Sequence, residues 1–323
     1  MIINEALSKS WSRVGQRATF GLVMIELATE IDDLMVISAD VSTSAGLDRF
    51  KSAYTEKYLD VGIAEQNMMG IATGLASEGY SVFTTSFAPF QTMRCCEQIR
   101  VNLGYMGSKV CMVGLASGLV SGILGNTHCC FEDVGVLRSI PGITIITPAD
   151  CAEAAKAICA AQRHPGPVYL RLTGSSRTPI VYGDDYDFEI GKAISLREGS
   201  DVAIIANGMM IHESIVASDL LEKAGVSAAV VDMHTIKPLD TETVGRLLSK
   251  KLIVTVEEHS ILGGLGSAVA EFLSEFADRP PLKIIGIPDS FVEIAEYREL
   301  LERYHLTGET IARTVSGAME KLH

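Results

Sequence analysis

The sequence contains no run of about 18 uninterrupted apolar residues, so a helical membrane span is not expected despite a mean hydropathy of +0.25. Positive charge is scarce: 27 Lys and Arg against 40 Asp and Glu leave a net charge of -13. That balance repels phosphate backbones and anionic membrane surfaces, which argues against nucleic acid and membrane partners. None of the seven cysteines stands in a C-x-x-C arrangement, so no redox or zinc site is expected and the thiols read as free and buried. His128 beside Cys129 has no further ligand at useful spacing, and no metal is assigned to this chain. The N-terminal MIINEALSKSWSR carries an early acid and no apolar stretch, which points to a cytoplasmic protein rather than a secreted one.

With 323 residues and 47% hydrophobic residues, the chain is long enough for two domains, each with its own core. The high hydropathy is best assigned to large buried subunit interfaces. Short β-branched runs alternate with longer helical patterns, the mark of α/β architecture with two doubly wound, mainly parallel sheets. Strands are expected at 34–39, 81–85, 109–114, 143–147 and 167–172, with helices opening near Ala64, Pro89 and Asp150. Residues 174–191 hold turn formers and a charge cluster without sustained period and read as a linker. The pattern then restarts with strands at 201–207, 227–233, 252–258 and 282–287, and helices over 210–223, near 240–249 and after Gly266. The domains are accordingly 1–184 and 185–323.

The stretch DVGIAEQN (60–67) leaves a loop and enters a small-residue helix, placing one carboxylate, Glu65, at its start. On spacing alone Glu65 is a first-turn acid complementing the helix dipole. The next strand, however, ends in SFAPF (86–90), and the carboxyl ends of strands are where open α/β sheets bind ligands. Phe87 and Phe90 there could stack a ring, although core aromatics would read the same way.

Taken in order, DVGIAEQNMMGIATGL, FTTSFAPF, EQIRVNLGY, GNTH, EDVGVLRSIPGITIITPAD and GPVYLR resemble the second domain of the transketolase family. HTIKPLD (234–240) and EEHSILGGLGSAVAE (257–271) resemble its third domain. The resemblance implies thiamine diphosphate as cofactor. Glu65 would hydrogen-bond the aminopyrimidine and share a proton with it, Phe87 and Phe90 would stack on it, and Asp40 would contact it. His128 would face the reactive side as a proton shuttle or hydrogen-bond donor, and Arg17, Ser44 and His128 would bind substrate.

The family's first domain, with a Gly-Asp-Gly motif and a following Asn for Mg²⁺ and diphosphate, has no counterpart in this sequence. The resemblance thus implies a separate N-terminal subunit that holds Mg²⁺ and the diphosphate, in an α2β2 heterotetramer with self-association of this chain. At the acceptor end, Leu124 stands where the family has an Asp, Ala116 where it has a His, and Gly174 where it has an Arg, with Arg171 or Arg177 as possible substitutes. Losing such partners removes charge-assisted hydrogen bonds, which implies substrates less dependent on a terminal phosphate. The glycine-rich segment 114–126 reads as mobile. GGLG (263–266) lacks the surroundings of a phosphate cradle and reads as close packing. Three other readings stay open: the β subunit of a 2-oxo acid dehydrogenase first component, a 1-deoxyxylulose-phosphate-synthase-like enzyme, and a non-catalytic interaction subunit.

Overall fold

The structure, a computed structural model, describes residues 2–174 and 176–322. Its strands in chain order are β1 (Leu34–Ser38), β2 (Tyr58–Asp60), β3 (Ser81–Phe87), β4 (Val110–Leu115), β5 (Thr144–Ile146), β6 (Val168–Arg171), β7 (Ile194–Arg197), β8 (Val202–Ala206), β9 (Ala228–Asp232), β10 (Thr235–Lys237), β11 (Leu252–Ser260) and β12 (Leu282–Ile287). They form a seven-stranded sheet ordered β10-β5-β6-β4-β3-β1-β2 and a five-stranded sheet ordered β12-β11-β8-β9-β7. All pairings are parallel except β10 on β5 and β7 on β9. Strands such as β4 and β8 are apolar along their whole length and wholly buried, as expected of parallel strands covered on both faces.

Nine of these strands coincide with the sequence expectation within a few residues. The additions, β2, β7 and β10, are too short or too polar to register as apolar runs. The helix expected near 240–249 is shorter, Thr241–Arg246, and the helical turn after Phe87 spans only Ala88–Gln91. The strand β10 comes from the second half of the chain yet joins the first sheet: Thr235 pairs with Ile146, and Thr147 N–H donates to the His234 carbonyl at 2.7 Å.

Between Arg171 and Ile194 no helix or strand forms among the described residues, but this linker is tied down. Asp150, which caps the helix Cys151–Arg163, also accepts from the backbone N–H groups of Val181 and Tyr182, each at 2.8 Å. The rings of Tyr182 and Tyr186 stack with centroids 4.0 Å apart. Their hydroxyls reach two fully buried carboxyl groups, Asp232 (2.8 Å) on β9 and Glu153 (3.3 Å) on the helix below.

Burial is the main cause that pushes Asp232 up to about 7 and Glu153 well above the usual carboxylate range. A carboxyl group whose folded value is raised lends stability in full below its unfolded value of about 3.9, and that stability is lost as pH rises through the folded value. Urea unfolding is therefore expected to show stability falling between about pH 4 and pH 7. Asp232→Asn should flatten part of that slope; an unchanged slope in the variant would remove this pair as its origin.

Candidate active site

Parallel strands bring their carboxyl ends to one edge of the first sheet, the edge at which open α/β sheets bind ligands, and the candidate residues begin beside β1. Asp40 follows β1 with a left-handed φ of 56°. Its N–H donates to Asp60 Oδ1 at 3.1 Å, and the same oxygen accepts from Gly62 N–H at 2.9 Å. Asp60 thus ties the end of β1 to the turn from which the helix Glu65–Ser77 begins. That helix buries Met68, Met69 and Ala72 beneath the sheet, and this packing fixes where its first residue points.

Glu65 is 3% exposed. Its Oε1 accepts from Arg94 Nη1 at 2.7 Å, and the Arg94 guanidinium lies 4.2 Å over the Phe90 ring. Phe87 and Phe90 meet edge to face at 6.3 Å, and the His128 ring contacts both, at 6.0 and 5.4 Å. The structure therefore brings Glu65, Phe87, Phe90 and His128 into one cluster, with Arg94 bridging the carboxylate to the rings. Thr127 Oγ1 sits 2.9 Å from His128 Nδ1, leaving Nε2 as the ring nitrogen without a protein partner among the described residues. A buried carboxylate already holding a planar N–H donor above an aromatic ring suits an aminopyrimidine in chemistry and shape.

Arg17 and Ser44 lie on adjoining elements. The helix Gln16–Glu30 and the loop carrying Ser44 approach so closely that a Cβ on Gly21 would stand 1.9 Å from the Gly46 carbonyl oxygen. Arg17 is half-buried, has no hydrogen bond or ion pair among the described residues, and is drawn below its usual pKa by that burial. Arg171, expected as a substitute anion partner, is not available. It is 1% exposed, and its Nε donates to Asp133 Oδ2 at 2.8 Å while its Nη2 reaches the carbonyls of Cys130 and Glu258. Arg177 is exposed in a separate cleft with Met209, His212 and Tyr297.

The segment 114–126 is pinned rather than free. Gly118 and Cys130 bridge through their backbones, and Asn126 exchanges two hydrogen bonds with the Val292 backbone, 2.8 and 2.9 Å. Glu258 on β11 accepts from Leu119 N–H (2.6 Å) and from the Tyr297 hydroxyl (2.7 Å); burial pushes it up to about 7. The second half of the chain thereby holds the loop that leads to His128. Gly118 has φ 72°, and a Cβ there would stand 2.2 Å from Glu258 Oε1. Gly118→Ala is therefore expected to cost at least about 1–3 kcal/mol in urea unfolding; a neutral effect would mean that the loop relaxes away from Glu258. The GGLG segment is close packing as expected: Glu257 accepts from Leu265 and Gly266 N–H, and a Cβ on Gly264 would stand 2.0 Å from its Oε2. All seven cysteines are free, Cys96 alone being only partly buried.

Asp60, Arg94, Asn126 and Glu258 do not stand out in the sequence. Asp60 opens the motif that carries Glu65, and Arg94 follows Phe90 by four residues, a spacing that brings side chains together on a helical turn. Fold and site define an α/β protein that gathers a carboxylate, two phenylalanines and a histidine at the carboxyl ends of its strands.

Two family models match: the transketolase pyrimidine binding domain over residues 13–177 and the transketolase C-terminal domain over 191–311. A 6-deoxy-6-sulfo-D-fructose transketolase subunit from Clostridium sp. (strain MSTE9) is 38% identical, over 94% of both chains. An apulose-4-phosphate transketolase subunit from Phocaeicola vulgatus is 37% identical over 94% of this chain and 97% of its own. A solved structure described as a split gene transketolase, inactive beta4 tetramer, superposes with a TM-score of 0.87 at 37% identity, covering 95% of this chain and 99% of its own. The chain belongs to the transketolase family, as a C-terminal-type subunit of the split form. It is part of a transferase that moves a two-carbon ketol unit from a ketose-type donor to an aldehyde-type acceptor, and membership implies dependence on thiamine diphosphate.

Proposed function

We propose that this chain supplies the pyrimidine-binding half of a cytoplasmic α2β2 transketolase whose N-terminal subunit holds Mg²⁺ and the diphosphate. The observation that carries this reading is Glu65: a buried carboxylate at a helix start, joined through Arg94 to the Phe90 ring and its neighbours Phe87 and His128. When bound, the cofactor supplies the nucleophile and the electron sink for cleavage next to a carbonyl. Glu65 exchanges a proton with the aminopyrimidine, Phe87 and Phe90 hold the ring flat, and Asp40 borders it from the end of β1. His128, with Nδ1 engaged by Thr127, aims Nε2 at the substrate oxygen as donor or proton shuttle. The domain boundary falls near 184.

Arg17 and Ser44 receive the far end of the substrate. An unpaired, half-buried guanidinium is a seat for an anion, because its desolvation is relieved only by a negative partner. The relatives are named for substrates that end in a sulfonate or carry a phosphate; a terminal anion is the chemistry these share. With Leu124, Ala116 and Gly174 in place of polar partners, and Arg171 committed to Asp133, that anion rests chiefly on Arg17. Calorimetric titration of thiamine diphosphate with Mg²⁺, into this chain alone and mixed with a diphosphate-binding subunit, tests the assignment. Tight binding in the mixture alone, weakened by Glu65→Ala, is expected; binding insensitive to Glu65→Ala would remove the cofactor assignment.

A further inference from the structure

Arg94 occupies the place that the ring assignment reserves for a ligand. Its guanidinium is planar, presents N–H donors to the Glu65 carboxylate at 2.7 Å and lies 4.2 Å from the Phe90 centroid. An aminopyrimidine seated on Phe90 would offer the same carboxylate the same kind of donor in the same plane. The Arg94 backbone is fixed, its carbonyl accepting from Gln66 Nε2 at 2.9 Å, while its side chain is 41% exposed and can leave by rotating about its own bonds.

Resting on the proposed function, we infer that Arg94 is a built-in stand-in for the pyrimidine: it occupies the Glu65–Phe90 seat in the chain alone, and the ring must displace it. While it is seated, Glu65 Oε1 is engaged and the Phe90 face is covered, so the carboxylate cannot serve the ring. An internal competitor lowers apparent affinity by the fraction of time the seat is open. A half-exposed charge-assisted pair of this kind sets that factor at about five- to tenfold. The pair fills a buried carboxylate that would otherwise lack a partner, and its outer side is open to screening by salt.

The full-length chain can be tested with 4-amino-5-hydroxymethyl-2-methylpyrimidine, a cofactor fragment without diphosphate that needs no metal. Arg94→Gln is expected to bind the fragment about five- to tenfold tighter than wild type, and Arg94→Gln combined with Glu65→Gln to lose that gain. Wild-type affinity for this uncharged probe should rise with ionic strength, and that of Arg94→Gln should not. Circular dichroism of each variant confirms the fold, and Arg94→Lys, which keeps charge but loses the planar fork, should fall between the two. Equal or weaker binding by Arg94→Gln, with wild-type binding still sensitive to Glu65→Gln, overturns the stand-in and leaves the ring site standing. Absence of binding by every form, alone and mixed with the diphosphate-binding subunit, overturns both.

Discussion

Replacing Glu65 by Gln in the assembled enzyme is expected to lower turnover by about 10²- to 10⁴-fold, the contribution of a positioned general acid–base group. Gln matches Glu in size and keeps an acceptor oxygen, so the helix Glu65–Ser77 and the ring cluster have no steric reason to move. What disappears is the ability to exchange a proton, together with the ion pair to Arg94. Steady-state turnover at saturating thiamine diphosphate and Mg²⁺ isolates the chemical effect from the binding effect. Turnover within a few-fold of wild type would take Glu65 out of proton transfer.

The second large effect concerns stability. Arg171→Leu is expected to cost about 3–5 kcal/mol in urea unfolding, because it leaves Asp133 buried without its cation. Asp133 is fully buried and also accepts from the Tyr169 hydroxyl at 2.6 Å, while Arg171 joins Cys130 to Glu258 across the two halves. Leu at both positions should recover much of the loss, since an apolar pair carries no stranded charge. A cost below about 1 kcal/mol for Arg171→Leu, the level of an exposed pair, would show that water reaches this site.

The strands were legible because parallel strands buried on both faces spell continuous apolar runs; β2, β7 and β10 escaped because three or four residues at a sheet edge carry no such signature. Glu65, Phe87, Phe90 and His128 were legible because each lies inside a motif at a strand end or helix start. Their grouping was implied by the family resemblance, but Arg94 as the residue that bridges them was not: whether a surface arginine folds inward depends on which carboxylate lies beneath it. The loop 114–126 misled for a related reason. Its glycines suggest freedom, yet Gly118 is glycine because Glu258, some 140 residues later, leaves no room for a Cβ. Arg171 looked available as an anion partner for want of its contact with Asp133, which also depends on tertiary packing.

The three residues of β10 have a consequence for how the chain comes off the ribosome. The first sheet has β5 at its edge once residue 171 has emerged and β6 joins β5 to β4, but the strand that covers that edge arrives only with residues 235–237. Over the intervening stretch of synthesis the nascent sheet exposes an unpaired backbone edge, the feature that templates intermolecular strand pairing. A polypeptide cut between its two halves would leave that edge open until the halves reassociate, so separate expression of the first half is expected to favour aggregation.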